Sequence, residues 1–219
     1  MSLFRDRSDA GRQLAAKLKA YAGRPDVLVL ALPRGGVPVG AEVARRLDAP
    51  LDVYLVRKLG VPGHEELALG AIASGGTRVL NDDVVRTLGI PEALIETLVH
   101  RERQELERRE RLYRGGRPFP DVTGRVVILV DDGLATGATM RAAVEALRGR
   151  RPARVVVAVP VGAPETCAAL EALADEVACA VTPEPFYAVG LWYDEFDQTT
   201  DDEVRMLLDR AAARTSHAA

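Results

Sequence analysis

A run of five apolar residues followed at once by two carboxylates is the sequence feature that most constrains this fold. Residues 126–130 read Val-Val-Ile-Leu-Val, and Asp131 and Asp132 come directly after them. A short, wholly apolar and mostly β-branched run is typical of a strand that is buried on both faces in a parallel sheet. A sharp turn must follow the two acids. The sequence therefore predicts a central strand whose carboxyl end presents two negative charges.

The residues after the acids predict a tight loop and the start of a helix. Gly133 and Gly137 permit a tight backbone, and Thr136 and Thr139 supply hydroxyl groups. Helix-forming residues continue from 138 to 148. Backbone amides at a helix N-terminus attract anions, phosphate above all. We therefore expect this loop to bind a phosphate group.

Strand and helix patterns alternate along most of the chain. This alternation predicts an α/β fold, a doubly wound and mostly parallel sheet with its active crevice beyond the carboxyl ends of the strands. Three polar clusters are expected in that crevice: Arg34-Gly35-Gly36 after the first strand, Arg57-Lys58 after the second, and the acids with their loop. Besides the central strand and its helix, strands are predicted at 27–32, 51–56, 153–160 and 176–181, and helices at 8–22, 37–47, 164–174 and 201–213.

We predict a single domain, 1–219. Two of its segments depart from the alternation of strands and helices. An insertion at about 60–124 is too long for a plain connection. It is expected to contain a hairpin, 67–73 with 78–80, and a long Arg- and Glu-rich helix from 91 to about 113. A C-terminal segment, about 182–219, carries half of the ten aromatic residues within eleven positions.

Composition narrows the classes of function. A formal charge of -3 and a pI near 5.7 give no overall basic field, so we expect no nucleic-acid partner. No apolar run approaches membrane-spanning length and the first residues lack a signal peptide's apolar centre, so we expect a cytoplasmic protein with no membrane partner. Cys167 and Cys179 are not in a CxxC spacing and sit among alanines, so buried thiols are expected rather than a disulfide or metal pair.

Residues 127–139, Val-Ile-Leu-Val-Asp-Asp-Gly-Leu-Ala-Thr-Gly-Ala-Thr, resemble the phosphoribosyl-pyrophosphate motif of type I phosphoribosyltransferases. That motif has four apolar residues, two acids, small residues and a Thr-Gly pair, and every element is present in order. The segment 32–36, Leu-Pro-Arg-Gly-Gly, sits where the family places its pyrophosphate loop. The chain also resembles an uncharacterised subgroup of that family with similar Val-Arg-Lys-Leu-Gly-Val-Pro and Val-Gly-Leu-Trp-Tyr segments.

The resemblance implies a magnesium-dependent transferase, with a role for each cluster. Asp131 and Asp132 would accept hydrogen bonds from the ribose hydroxyls, stabilise an oxocarbenium-like ring and contact Mg²⁺ indirectly, through water or those hydroxyls. Arg34 would bind the leaving pyrophosphate, with Lys58 adding positive charge. The remaining substrate contacts would come from Gly35, Gly36, Arg57, Gly133, Ala135, Thr136, Gly137, Ala138 and Thr139, the last four around the 5-phosphate.

Several alternatives stay open at this stage. Ala135 stands where 6-oxopurine members carry an Asp, so the nitrogenous acceptor is unidentified, a nucleobase being one candidate. Tyr187 and Trp192 would either stack on the acceptor in a C-terminal hood or simply staple the last helix to the sheet. His64, Glu65 and Glu66 would be acid-base groups, a metal site or an exposed, mobile loop. The resemblance implies a homodimeric enzyme, and the alternative is a regulatory protein that binds phosphoribosyl pyrophosphate without turnover.

Overall fold

The computed structural model describes residues 2–61 and 64–217 and has a five-stranded sheet at its centre. Its strands are β1 (Val27–Ala31), β2 (Leu51–Val53), β6 (Val126–Val130), β7 (Arg154–Val161) and β8 (Glu176–Val181). They lie in the order β2-β1-β6-β7-β8, and each neighbouring pair is parallel. The predicted central strand β6 thus lies between β1 and β7, and all five of its residues are buried.

Helices cover both faces of this sheet. Alternate side chains of β1 and β6 pack against α1 (Arg7–Lys17) and α2 (Gly36–Leu47) on one face. The side chains between them pack against α5 (Ala138–Arg148) and α6 (Pro164–Glu171) on the other. Both faces of a parallel sheet must be covered because its strands are apolar on each side. The predicted doubly wound α/β fold is confirmed.

The insertion forms a second sheet. Three antiparallel strands, β3 (Val56–Val61), β4 (His64–Ala73) and β5 (Thr77–Leu80), are followed by α3 (Asp82–Leu88) and α4 (Glu92–Arg114). The predicted hairpin and long helix are confirmed, whereas α3 was not predicted. The strand β4 starts earlier than expected, and the side chains of His64, Glu65 and Glu66 lie outside the described residues.

The prediction that Arg57 and Lys58 end the second strand of the central sheet is wrong. That strand ends at Val53, and both cations lie inside β3 of the second sheet. The chain changes sheets at Leu55, whose backbone N–H and C=O bond to Ser74. The mostly apolar segment 51–56 thus contains the end of one strand and the start of another, and its sequence pattern does not show where the first ends.

A buried arginine joins the insertion to the central sheet. Arg114 at the end of α4 is 3% exposed. It contacts Asp52 of β2 at 2.9 Å and Glu110 at 2.7 Å, and it donates to the carbonyl of Val53 at 2.6 Å and to Ser74 at 3.2 Å. Burial raises the pKa of Asp52, and Arg114 opposes that rise. The guanidinium thus holds four groups from three parts of the chain.

The expectation of two buried free thiols is wrong. Cys167 of α6 and Cys179 of β8 form a disulfide. Gly162 lies against both sulfurs, and a side chain there would collide with Cys167. The missing Cβ leaves room for α6 to approach β8, a contact that the spacing of the cysteines did not reveal.

The helices of the described residues do not include a membrane span. The longest, α4, is rich in arginine and glutamate, and Glu105 with Arg109 and Glu107 with Arg111 pair at i, i+4. The last helix, α7 (Asp201–His217), packs against α2 and α4.

We predict that Arg114→Met lowers the free energy of unfolding by about 3–5 kcal/mol, because it leaves the Asp52 carboxylate buried and unpaired. Urea denaturation measures the change. The matched control is Arg111→Met on the same helix, since the Arg111 side chain is 69% exposed and lies 3.9 Å from Glu107; it should cost less than about 1 kcal/mol. Equal losses in the two variants would contradict the anchoring role of Arg114.

Candidate functional site

The backbone holds the acid pair at the carboxyl end of β6. Leu32 donates its N–H to the carbonyl of Val130 at 2.8 Å, so the end of β1 is tied to the end of β6. Leu134 then donates to the carbonyl of Val161 at 2.9 Å, which ties the loop to β7. Asp131 and Asp132 lie between these two ties and are partly exposed. They sit at the edge where an α/β sheet binds its ligands.

Asp131 is held in an environment that disfavours its charge. Burial raises its pKa well above the usual value, and the neighbouring charge of Asp132 raises it further. One hydrogen bond opposes this, from the backbone N–H of Asp132 to Oδ1 of Asp131 at 2.9 Å. Perturbed acids of this kind are common at functional sites.

Asp132 is held by groups from the first helix and from the C-terminal segment. Its Oδ2 lies 2.8 Å from Nε of Arg7, and both side chains are mostly buried, 17% and 12% exposed. The hydroxyl of Tyr193 donates to the backbone carbonyl of Asp132 at 2.6 Å. The acid is therefore fixed in place before any ligand binds.

The structure brings the predicted pyrophosphate loop into contact with the acids. A Cβ added to Gly35 would overlap Oδ2 of Asp132, and one added to Gly36 would lie 2.7 Å from the carbonyl of Val130 and 2.9 Å from Cα of Asp131. The peptide between residues 33 and 34 is cis. Glycine is needed at both positions because the two loops approach too closely for a side chain between them.

The side chain of Arg34 points toward the last helix. Its Nη1 lies 3.8 Å from Oδ1 of Asp201, the first residue of α7, and the side chain is 35% exposed. The same carboxylate oxygen accepts a hydrogen bond from Tyr113 at 2.6 Å. Burial, followed by Asp201, raises the pKa of Tyr113 to about 12. Arg34 thus has a weak, solvent-accessible partner that an anionic ligand can replace.

The predicted 5-phosphate loop is exposed and followed by a helix N-terminus. Gly137 adopts φ 69°, and α5 begins at the next residue. The first bond of that helix runs from the N–H of Arg141 to the carbonyl of Gly137 at 2.8 Å, which leaves earlier amides without helical partners. The loop is braced from behind, because Thr166 donates its hydroxyl to the carbonyl of Ala135 at 2.6 Å. Such a loop can bind an anion.

The two cations of β3 occupy different environments. Arg57 is paired with Glu102 of α4, at 2.6 and 2.9 Å. Lys58 is exposed and lines a cavity of about 860 Å³ together with residues of the phosphate loop, Thr136 and Thr139 among them. Neither acid nor Arg34 lines that cavity. Lys58 therefore shares this cavity with Thr136 and Thr139 of the predicted phosphate loop, and Arg34 is not among the lining residues.

The aromatic C-terminal segment covers the acid loop. Val189 lies against Gly133, where an added Cβ would come within 2.5 Å of it. Trp192 stacks on Phe186 with ring centroids 6.4 Å apart. Tyr187 is 77% exposed. Of the two predicted stacking residues, Tyr187 is thus open to a ligand, whereas Trp192 is already stacked within the protein.

The aromatics also fasten the N-terminal segment. Phe4 is 1% exposed and lies 5.3 Å from the ring of Tyr193, and Tyr193 lies 4.9 Å from Phe196. Leu3 and Phe4 donate their backbone N–H groups to the carbonyl of Trp192. One of the two alternatives was that these aromatics staple the last helix to the sheet; the contacts described above are instead with the segment before α1.

Arg7 is the site residue that sequence reasoning missed. It is one of many arginines, it opens an ordinary amphipathic helix, and it lies 125 residues from its acidic partner. The only hint was the prediction of a nearby helix, which says nothing about where its first side chain points.

Comparison with known proteins identifies the class to which this fold and site belong. A family model described as the phosphoribosyl transferase domain matches residues 5–189. The chain belongs to this phosphoribosyltransferase family. The match covers most of the residues described above, including Arg7, the pyrophosphate loop and the acid loop.

Individual relatives agree with the family. Rv0571c of Mycobacterium tuberculosis H37Rv, which carries a provisional phosphoribosyl transferase name, is 52% identical over 96% of this chain, and the match covers 47% of that protein. This chain thus spans about half the length of that curated relative. A crystal structure of TT1426 from Thermus thermophilus is 47% identical with a TM-score of 0.85, over 95% of this chain and 98% of that one. The bifunctional protein PyrR of Chloroflexus aurantiacus is 35% identical over 58% of this chain and 65% of its own.

We predict that Asp131→Asn stabilises the protein at neutral pH. When folding raises the pKa of a carboxyl, the native state loses stability as the pH rises from the pKa of the unfolded state toward that of the folded state. Asparagine carries no such penalty. The gain should be on the order of 1 kcal/mol at pH 7 and should vanish below about pH 4, where the carboxyl is protonated in both states.

Urea denaturation across this pH range measures the effect. Asp121→Asn is the matched control, because a backbone hydrogen bond from Thr123 lowers the pKa of Asp121 and the opposite sign is expected. A loss of stability in Asp131→Asn at pH 7 would show that the buried carboxyl is not a cost to the fold.

Proposed function

We propose that the protein transfers the 5-phosphoribosyl group of phosphoribosyl pyrophosphate to a nitrogenous acceptor and releases pyrophosphate. The observation that carries this proposal is the close contact of Gly35 and Gly36 with the acid pair. It puts the residues for the leaving group directly beside the residues for the ribose. A phosphate loop alone would support many nucleotide-binding functions. The position of the pyrophosphate loop beside the acid pair favours cleavage at the ribose C1.

Each part of the site has a task in this reaction. The exposed amides and hydroxyls from Thr136 to Thr139 would bind the 5-phosphate, and Lys58 lies in the same cavity to add a positive charge. Asp131 and Asp132 would accept hydrogen bonds from the ribose hydroxyls. As the C1–O bond breaks, the ring gains positive charge, which a fixed carboxylate stabilises without reorganisation.

The pyrophosphate would leave toward Arg34. The weak contact of this side chain with Asp201 at 3.8 Å is readily exchanged for a ligand with more negative charge. The amides of Gly35 and Gly36 would bind the same group. Arg57 has a different task on this proposal, because its pairing with Glu102 keeps β3 against α4.

The acid pair fits a magnesium ion that is held mostly by the substrate. Mg²⁺ prefers oxygen ligands and keeps several waters. Among the described residues, no group of three potential metal ligands is found, and one oxygen of Asp132 is already bound by Arg7. Asp131 and Asp132 would therefore contact the ion through water or the ribose hydroxyls. When bound, the ion would neutralise charge on the pyrophosphate.

The acceptor would enter beneath the C-terminal segment. Tyr187 offers an exposed ring for stacking on a planar acceptor. Ala135 has no side-chain polar group to offer a purine, and the ring of Trp192 is already stacked on Phe186. A nucleobase is one candidate, and a smaller nitrogenous acceptor is another.

A second candidate function is supported by the Arg7 contact. A protein that binds phosphoribosyl pyrophosphate without turnover and regulates a partner needs the substrate pocket but not a free pair of carboxylates. The ion pair between Arg7 and Asp132 reduces the negative charge available to an oxocarbenium-like ring. This favours binding over chemistry, whereas the intact pyrophosphate loop favours chemistry.

A pyrophosphate-release screen separates the two functions. The protein is incubated with phosphoribosyl pyrophosphate, Mg²⁺ and a panel of nucleobases and small amines. We expect release with at least one acceptor, and its loss in the Asp131→Asn/Asp132→Asn double variant, which should keep its fold by circular dichroism. Tight binding with no release for any acceptor tested would favour the regulatory function, and unchanged turnover in the double variant would contradict the site assignment.

We predict that Arg34→Ala weakens pyrophosphate binding at least tenfold and ribose 5-phosphate binding by less than about twofold, because a charge-assisted contact is worth about 1.5–3 kcal/mol. Isothermal titration calorimetry measures both affinities. Arg45→Ala on α2 is the matched control, since Arg45 is 52% exposed and pairs with Glu42. Equal losses for the two ligands would count against the role of Arg34.

A further inference from the structure

Arg7 lies where three parts of the proposed site meet. Its Nε is 2.8 Å from Oδ2 of Asp132, and its Nη1 donates to the carbonyl of Asp197 at 2.6 Å. Its guanidinium carbon lies 3.9 Å from the ring centre of Phe196. A Cβ on Gly35 of the pyrophosphate loop would be 3.3 Å from its Nε. One side chain therefore touches the ribose acid, the pyrophosphate loop and the C-terminal segment.

The contact uses only one oxygen of the acid. Among the described residues, no hydrogen bond is recorded to Oδ1 of Asp132, whereas Oδ2 is bound to Arg7. A carboxylate that is pinned at one oxygen cannot rotate freely about its bond to Cβ. The other oxygen is then left in a fixed direction for a ligand, and the rotational entropy is lost before binding.

The other contacts hold Arg7 itself in place. The planar guanidinium stacks on Phe196, and a lysine could not reproduce both this stacking and the forked hydrogen bonds. Ordinary surface pairs contribute little to stability, but this pair is almost fully enclosed. The pair is enclosed at the site and does not lie on an outer face of α1. This position points to a role for Arg7 beyond holding the helix in place.

We propose that Arg7 is a positioning residue of the phosphoribosyl site: it fixes one carboxylate oxygen of Asp132, so that the other is oriented for a ribose hydroxyl. This inference rests on the proposed function, because it assumes that a ribose 5-phosphate group occupies the site. It assigns a task in ribose recognition to the N-terminal helix.

Calorimetry with two probes tests the proposal. Ribose 5-phosphate uses both the phosphate loop and the acid pair, whereas inorganic phosphate uses the phosphate loop alone. We expect Arg7→Gln to weaken ribose 5-phosphate binding about tenfold, the equivalent of one charge-assisted hydrogen bond, and to leave inorganic phosphate binding unchanged. Arg12→Gln, which removes a charge from the same helix away from the site, should change neither affinity.

A double-variant cycle separates positioning from general stabilisation. If Arg7 acts through Asp132, then Arg7→Gln should add nothing to the loss caused by Asp132→Asn. Arg7→Lys keeps the charge and guards against a variant that does not fold; it should bind ribose 5-phosphate with an affinity between those of the wild type and Arg7→Gln.

Three results would overturn the inference: additive losses in the cycle, equal losses for both probes, or tighter ribose 5-phosphate binding in Arg7→Gln. The last would mean that Arg7 blocks the site. Failure of the proposed transferase function gives a different pattern, in which the wild type binds ribose 5-phosphate but releases no pyrophosphate in the screen. If the wild type binds neither probe, both proposals fall.

Discussion

The placement of two carboxylates at the end of a strand that is buried between two others determines most of what surrounds them. Such charges are costly to desolvate, and here one of them has its pKa raised by that cost. A backbone amide donates a hydrogen bond to Asp131, and the guanidinium of Arg7 pairs with Asp132. The pyrophosphate loop, the N-terminal helix and the C-terminal segment all meet at these two side chains. The fold thus tolerates a local destabilisation, which the proposed ribose ligand and magnesium ion would relieve.

The parts of the fold that depend on local sequence were predictable. The strand 126–130, the loop after it and the helix from 138 appear where their pattern put them, because burial on both faces and helix propensity act within a few residues. The contact of Gly35 and Gly36 with the acid pair was also predictable, since adjacent parallel strands bring their carboxyl ends to one edge. The roles of these residues, the magnesium ion and the homodimer stay predictions.

The errors concern contacts that no single segment reveals. Arg57 and Lys58 were assigned to the wrong sheet, because the pairing of Leu55 with Ser74 cannot be read from either segment alone. The disulfide depends on Gly162, which is close in sequence to Cys167 but whose missing side chain matters only once α6 packs on β8. Arg7 was missed because nothing in its own neighbourhood distinguishes it from other helix arginines. Local sequence patterns predict helices and strands, whereas the contacts between distant residues are determined only when those helices and strands pack together.

The position of Arg7 also has a consequence for the order in which the molecule assembles. Its partners lie 125 and 190 residues further along the chain. During synthesis the sheet and the acid pair are complete before Phe196 and Asp197 emerge, so the early chain carries two neighbouring carboxylates whose counter-charge is not yet held in place. Contacts of such long sequence separation form late and slowly. The contacts of Arg7 with Phe196 and Asp197 are therefore expected to form last, when the C-terminal segment closes over the first helix and the sheet, which pack together earlier.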